Sequence, residues 1–252
     1  MSNYINIFGI KIYYYGIIMG FALLIGILLA EKKWKEKGLN LKTYNNMIIS
    51  ILIFAFIGAR LWYVLFSGNL NYYFSNVYNI INLKNGGLAI HGGILASILV
   101  ILYYAKKEKI NFFLITDIGV ISLMLGQIIG RWGNFINQEA HGPETTYDFL
   151  KNVLHLPDFI INGMYINGIY YQPTFLYESL LNLIGLIILI ILSKKQHKLG
   201  YLTGFYLSWY GCLRMFIEIL RTDALFLGTI KIAFFTSFIM FIIGIYLMIR
   251  RK

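Results

Sequence analysis

The sequence predicts an all-α polytopic membrane protein. It has seven transmembrane helices, an outside N-terminus, a cytoplasmic C-terminus and a small extracytoplasmic cap containing short β-strands. Three observations carry this reading. Only 13% of the residues are charged, against about 25% for a soluble domain, and the mean hydropathy is +0.67. Seven apolar runs are each near the ~20 residues that cross a bilayer. And the basic residues are distributed unevenly along the chain.

The runs are Tyr14 to Ala30, Tyr44 to Phe66, Leu88 to Ala105, Phe112 to Ile129, Thr174 to Leu192, Tyr201 to Leu220 and Gly228 to Ile249. Lysines 32, 33, 35, 37 and 42 follow the first. Lysines 106, 107 and 109 follow the third, and lysines 194, 195 and 198 the fifth. Arg250, Arg251 and Lys252 follow the last. Fourteen of the 22 basic residues therefore lie after odd-numbered segments, which the positive-inside rule assigns to the cytoplasm. The net charge of +11 is mostly an orientation signal. Nucleic-acid binding is excluded, because no basic stripe sits on a soluble domain.

The chain reads as one membrane domain, 1–252, with two additions. Residues 67–86, rich in Tyr and Asn, form an interfacial arm at head-group depth. Residues 143–172 form an extracytoplasmic cap between the fourth and fifth helices. Its stretch FIINGMYINGIYYQ has two Asn-Gly pairs between β-prone runs, which predicts a small β-meander with tight turns. No cleavable signal peptide is expected, since no basic region precedes the first apolar run. The single cysteine, Cys212, excludes an intrachain disulfide and a Cys-based metal site. It reads as a packing residue, because no activating thiol motif surrounds it.

With that orientation, Arg60, Arg131, Arg214 and Arg221 all fall toward the outer ends of their segments, and so do His91, Glu178 and Tyr15. GRWGNFINQEAHG, from Gly130 to Gly142, is the densest of these stretches. An arginine there is costly unless something anionic meets it, and Glu139 is its obvious local partner. In the sixth segment Tyr210, Arg214, Glu218 and Arg221 are spaced by four, four and three, which makes one helical stripe. Glu218 can pair with either arginine of that stripe. This is a structural ion-pair ladder, or a pair of guanidinium forks presented to a phosphate. His91 sits between two Gly-Gly pairs, which permit close helix or ligand approach. Pro173 opens the fifth segment with Tyr177 and Glu178 in its first turn, where the helix dipole suits a carboxylate. Arg60 is either an interfacial snorkeller or a residue with a partner.

Taken together, GRWGNFINQEAHG, GGLAIHGG, PTFLYE and YGCLRMFIEILR resemble, in this order, the blocks of the bacterial prolipoprotein diacylglyceryl transferases. The resemblance spans the first six segments. It departs at Gln172, where family members often carry His before the Pro, so no role of that histidine carries over. The resemblance implies a multi-pass protein of the bacterial cytoplasmic membrane with its active site toward the extracytoplasmic leaflet. It implies transfer of the diacylglyceryl group from phosphatidylglycerol to the cysteine thiol of a prolipoprotein lipobox, releasing glycerol phosphate. Neither a cofactor nor a metal is expected.

By resemblance, Arg131 and Arg214 clamp the phosphate and Asn134 meets the glycerol hydroxyls. His91 is the candidate base, although thiol-to-imidazole transfer at ordinary pKa values is uphill by roughly 2.7 kcal/mol. Tyr15, Tyr210 and Arg60 contact the lipid head group. Glu139, Glu218, Glu178 and Arg221 orient or brace the arginines, Glu218 within the catalytic set. The rival reading is a transporter or flippase for an anionic lipid or solute. It would need polar groups from face to face, whereas the inner halves of the segments read as apolar. A partner-binding membrane subunit is a further rival.

Overall fold

A computed structural model describes residues 4–82, 86–222, 226–227 and 230–251. Residues 83–85, within the stretch read as the arm, and Lys252 of the basic C-terminus lie outside the described residues.

The long helices are α1 (Tyr14–Glu36), α2 (Leu41–Phe66), α5 (Ile90–Lys107), α6 (Phe112–Ile136), α8 (Thr174–Ser193), α9 (Tyr201–Leu220) and α10 (Ile232–Arg250). Short helices α3 (Leu70–Ser75) and α4 (Val77–Ile81) fall in the expected arm, and α7 (Asp158–Gly163) in the cap. Six of the long helices are long and apolar enough to cross a membrane. The exception is α9, whose 20 residues suffice in length but carry the Arg214–Glu218 stripe. The helices expose rows of Leu, Ile and Phe, among them Leu24, Phe54, Leu99 and Ile243. Lipid rather than water suits such a surface, and the chain is a multi-pass membrane protein.

The chain comprises two compact units. Met1–Ala30 with Thr116–Lys252 forms one, and Glu31–Ile115 the other.

In the second unit, α2 begins where the Asn40 side chain accepts from the Lys42 N–H. The Trp34 indole donates to the Asn40 carbonyl at 3.0 Å and packs on Tyr44, with ring centroids 5.5 Å apart. Gly58 and Gly92 let α2 and α5 touch backbone to backbone: a Cβ on Gly58 would meet the Gly92 carbonyl oxygen at 2.6 Å. Without a hydrophobic drive between helices in lipid, such small residues are what allow close packing.

The first unit starts with a hairpin, β1 (Tyr4–Ile7) and β2 (Ile10–Tyr13), paired antiparallel. Phe8 and Gly9 both have positive φ, as a two-residue hairpin turn requires. Sequence reading placed no strand there. Further on, α9 and α10 meet through Gly211 and Gly204, whose Cβ atoms would strike the Ser237 and Gly244 carbonyls at 2.6 and 2.9 Å. A core of Val120, Ile121, Met124, Leu186, Leu189, Leu202 and Tyr206 joins α6, α8 and α9.

Asp117 sits inside α6, past its first turn. It serves α9 instead. Its carboxylate accepts from Gly200 N–H at 2.7 Å, Thr203 N–H at 2.8 Å and the Thr203 hydroxyl at 2.6 Å. Gly200, the residue that opens α9, has φ 96° and no side chain, so the cap is supplied from across the bundle.

The cap is partly as expected. Strands β3 (Glu144–Thr145), β4 (Tyr165–Ile166) and β5 (Ile169–Tyr171) form one antiparallel sheet in the order β3-β5-β4. Asn167 and Gly168 make its tight turn with φ 51° and 90°. The other Asn-Gly pair, Asn162–Gly163, corrects the expectation: it ends α7. Phe135 lies where a Cβ on Gly163 would be, so this glycine is selected by packing and not by a turn. A strand pair β6 (Phe226–Leu227) and β7 (Ile230–Lys231) precedes α10; β7 falls within the expected seventh segment, whose expected start, Gly228, lies outside the described residues.

Candidate active site

The apolar run that begins at Phe112 does not stop at Ile129. The helix α6 continues to Ile136, carrying Arg131 and Asn134 on its last turns. Its close then turns sharply, with positive φ at Gln138 and Ala140. Gly133 is bare because the Tyr15 ring lies over it: an added Cβ would meet that ring at 2.8 Å. This brings Tyr15, from α1, beside the turn of α6 that bears Arg131.

The Arg131 counter-ion is Glu178 of α8. Arg131 Nη2 lies 2.5 Å from Glu178 Oε1. Arg214 Nη1, from α9, lies 3.4 Å from the other oxygen of the same carboxylate. Arg214 Nη2 is 2.7 Å from Glu218 Oε2, one turn along its own helix. Two guanidiniums and two carboxylates thus form one neutral set. Both carboxylates are 1% exposed. The Tyr210 hydroxyl hydrogen-bonds Arg131 from the same stripe of α9. Expected in the first turn of α8, Glu178 lies beyond it, and that turn holds no acidic residue. Two cations, not the helix dipole, account for its burial.

Glu139 accepts from Asn134 Nδ2 at 2.9 Å, and Asn134 Oδ1 accepts from Arg131 Nη1 at 3.3 Å. Glu139 thus reaches the arginine through an amide. Among the described residues it makes no ion pair. Lys231 donates to the Glu218 carbonyl at 2.7 Å and the Arg221 carbonyl at 3.4 Å, securing the end of α9.

The ion pairs are close but not fully aligned. Glu178 Oε1 and Glu218 Oε2 are buried without a directed hydrogen bond, although each touches a guanidinium. Each guanidinium has five donors, so this geometry leaves N–H groups free for a further anion. The arginine side chains are 18% and 12% exposed, enough to be reached.

One turn further along, the polar character continues. Gln127 donates to the Tyr206 hydroxyl at 2.8 Å, and Tyr206 stacks parallel to Tyr210. Asn182 is 0% exposed, and both polar atoms of its amide lack a partner among the described residues. The signal was present in the sequence: Gln127, Asn182 and Tyr206 each lie four residues from Arg131, Glu178 and Tyr210, on the same helical stripes.

His91 and Arg60 belong to the second unit. His91 is exposed at the start of α5, with its ring 6.5 Å from that of Trp62. The glycine beside it serves the contact of α5 with α2. Arg60 is 7% exposed and departs from the expected lipid contact. Its Nε donates to the Ile80 carbonyl at 2.6 Å, Nη1 to Gly86 and Gly87, and Nη2 to Asn79 and Asn82. All five donors are spent on backbone carbonyls, so none remains for a phosphate.

The model of the family described as prolipoprotein diacylglyceryl transferase matches residues 2–250. Proteins named phosphatidylglycerol–prolipoprotein diacylglyceryl transferase are similar to this chain. Those of Bacillus cereus strain G9842, Bacillus cytotoxicus and Bacillus mycoides are each 46% identical over 242 residues, covering 96% of this chain and 88% of theirs.

Proposed function

The chain belongs to the prolipoprotein diacylglyceryl transferase family, and we propose that it carries out the reaction for which its relatives are named. It moves the diacylglyceryl group of phosphatidylglycerol onto the lipobox cysteine thiol of a prolipoprotein, an early step of lipoprotein maturation. The thiol sulfur attacks the glyceryl carbon, a thioether forms, and the bond to phosphate oxygen breaks with release of glycerol phosphate. The observation that carries this reading is the set of Arg131 and Arg214 on the buried carboxylates of Glu178 and Glu218, with guanidinium donors to spare.

The substrate brings its own nucleophile, so the protein's task is to hold the phosphodiester and stabilise charge as it moves to the leaving oxygen. Arg131 and Arg214 bind the phosphate oxygens, and the Tyr210 hydroxyl and Glu178 set the angle of Arg131. Glu218 holds Arg214, with Arg221 bracing the same end of α9. Asn134, itself fixed by Glu139, meets the glycerol hydroxyls, and Tyr15 borders the head group. His91 takes the thiol proton.

We assign seven crossings, with α9 as the polar one, an outside N-terminus and a cytoplasmic C-terminus. The membrane is the bacterial cytoplasmic membrane, and the arginine set faces its extracytoplasmic leaflet. The clustering of lysines after alternate helices supports this orientation. Exposed Tyr72, Phe74, Tyr78 and Ile81 on the arm suit head-group depth.

The test is purified protein with phosphatidylglycerol and a lipobox peptide, scored for thioether-linked product. Product is expected; its absence under conditions where the protein is folded overturns the reading.

A further inference from the structure

We propose that Glu178 is a displaceable counter-ion: when the phosphate of phosphatidylglycerol takes the two arginines, Glu178 binds one proton and hydrogen-bonds Asn182. This inference rests on the function proposed above and deepens it.

Three observations lead there. First, the Glu178 carboxylate spans both arginines, with one oxygen against each. A phosphodiester anion has two unesterified oxygens and competes for the same forks. Second, the charges balance before substrate arrives: Arg131 and Arg214 against Glu178 and Glu218. The other groups facing this set are Tyr210 from α9, Tyr15 from α1 and, through Asn134, Glu139. None of these adds a cation. Lys231 binds the carbonyls of Glu218 and Arg221 and holds the end of α9. One more anion in a buried site of low dielectric is costly unless a charge is removed, and protonation of a carboxylate removes one.

Third, the place for the neutral acid already exists. Asn182 lies one turn from Glu178 on α8, fully buried, with carbonyl and amino groups both unpartnered among the described residues. Orphaned buried amides are rare and costly. A protonated Glu178 donates its O–H to Asn182 Oδ1 and accepts from Nδ2, satisfying both at i,i+4 spacing. The carboxylate is thus a placeholder that keeps the arginines apart and aimed until the lipid arrives. Only a proton is gained, from solvent on binding, and it returns when glycerol phosphate leaves.

Calorimetric titration of short-chain phosphatidylglycerol into the detergent-solubilised protein, in two buffers of different ionisation enthalpy, counts the protons. About one proton is expected to be taken up per lipid. Glu178→Gln, which keeps the shape without the charge, is expected to bind more tightly, with no proton uptake. Asn182→Leu is expected to weaken binding several-fold in the wild-type background. Binding by wild-type protein without proton uptake overturns the inference, whatever the variants do. So does uptake that persists in Glu178→Gln. Failure of the wild-type protein to bind phosphatidylglycerol at all sinks the functional reading instead.

Discussion

Arg60 is buried and the pair Arg131–Arg214 partly buried, all three on long helices, yet their surroundings differ in kind. Arg60 gives its five N–H groups to five backbone carbonyls between Asn79 and Gly87. Tyr63 and Tyr73 lie 5.7 and 5.6 Å from its guanidinium carbon. Nothing is left over, so it is a knot that ties the arm to α2. Arg131 and Arg214 are neutralised by carboxylates while N–H groups stay uncommitted. A guanidinium saturated by carbonyls holds structure; one that is charge-balanced but short of directed hydrogen bonds is poised for another anion.

The sharpest way to break this comparison is substitution at the pair. Arg131→Lys or Arg214→Ala is expected to lower product formation by about 10²–10³-fold, on the scale of losing a preorganised donor to a developing anion, while the protein still inserts and folds. Full activity in both variants would remove the basis for separating the two kinds of arginine.

Arg60→Lys should do the opposite. Lysine has three donors for five carbonyls, so the arm loosens at a cost of about 2–3 kcal/mol. The expected readout is faster amide exchange and proteolysis across residues 70–82, with phosphatidylglycerol affinity at the arginine pair unchanged. An arm as protected as in the wild type would refute the knot.

A smaller effect is expected from Asp117→Asn. Like Arg60, this side chain is spent on structure: its carboxylate accepts three hydrogen bonds from the α9 start. Loss of the cap should cost about 1–2 kcal/mol, seen as a lowered Tm in detergent, with KM for the lipid unaltered.

The smallest belongs to the exposed pair Lys151–Asp158. The Asp158 hydrogen bond holds the Lys151 ammonium above the ordinary lysine pKa. Its contribution is therefore complete below the unfolded lysine pKa and fades only as pH rises through the folded value. Lys151→Ala should leave Tm unchanged near neutral pH, because solvent screens such a pair. A clear drop would mean that the cap depends on it.

Much was legible in the chain alone. The bounds of α8, Thr174 and Ser193, lie within a residue of its apolar run, because lipid demands a continuous apolar run with its backbone satisfied internally. The pairing of Arg214 with Glu218 follows from i,i+4 geometry, and the Asn167–Gly168 turn from the need for positive φ. These are local properties, fixed within a few residues.

What only the tertiary structure decided is which distant groups meet. Glu178 looked like a helix-start carboxylate and is the shared counter-ion of arginines on two other helices. Asp117 lies on one helix and caps another. Arg60 looked like a lipid contact and binds the arm. Gly163 sat in an apparent turn and makes room for Phe135. Helical periodicity fixes the face on which a side chain lies. The partner on that face comes from packing between segments far apart in sequence, and no local pattern encodes it.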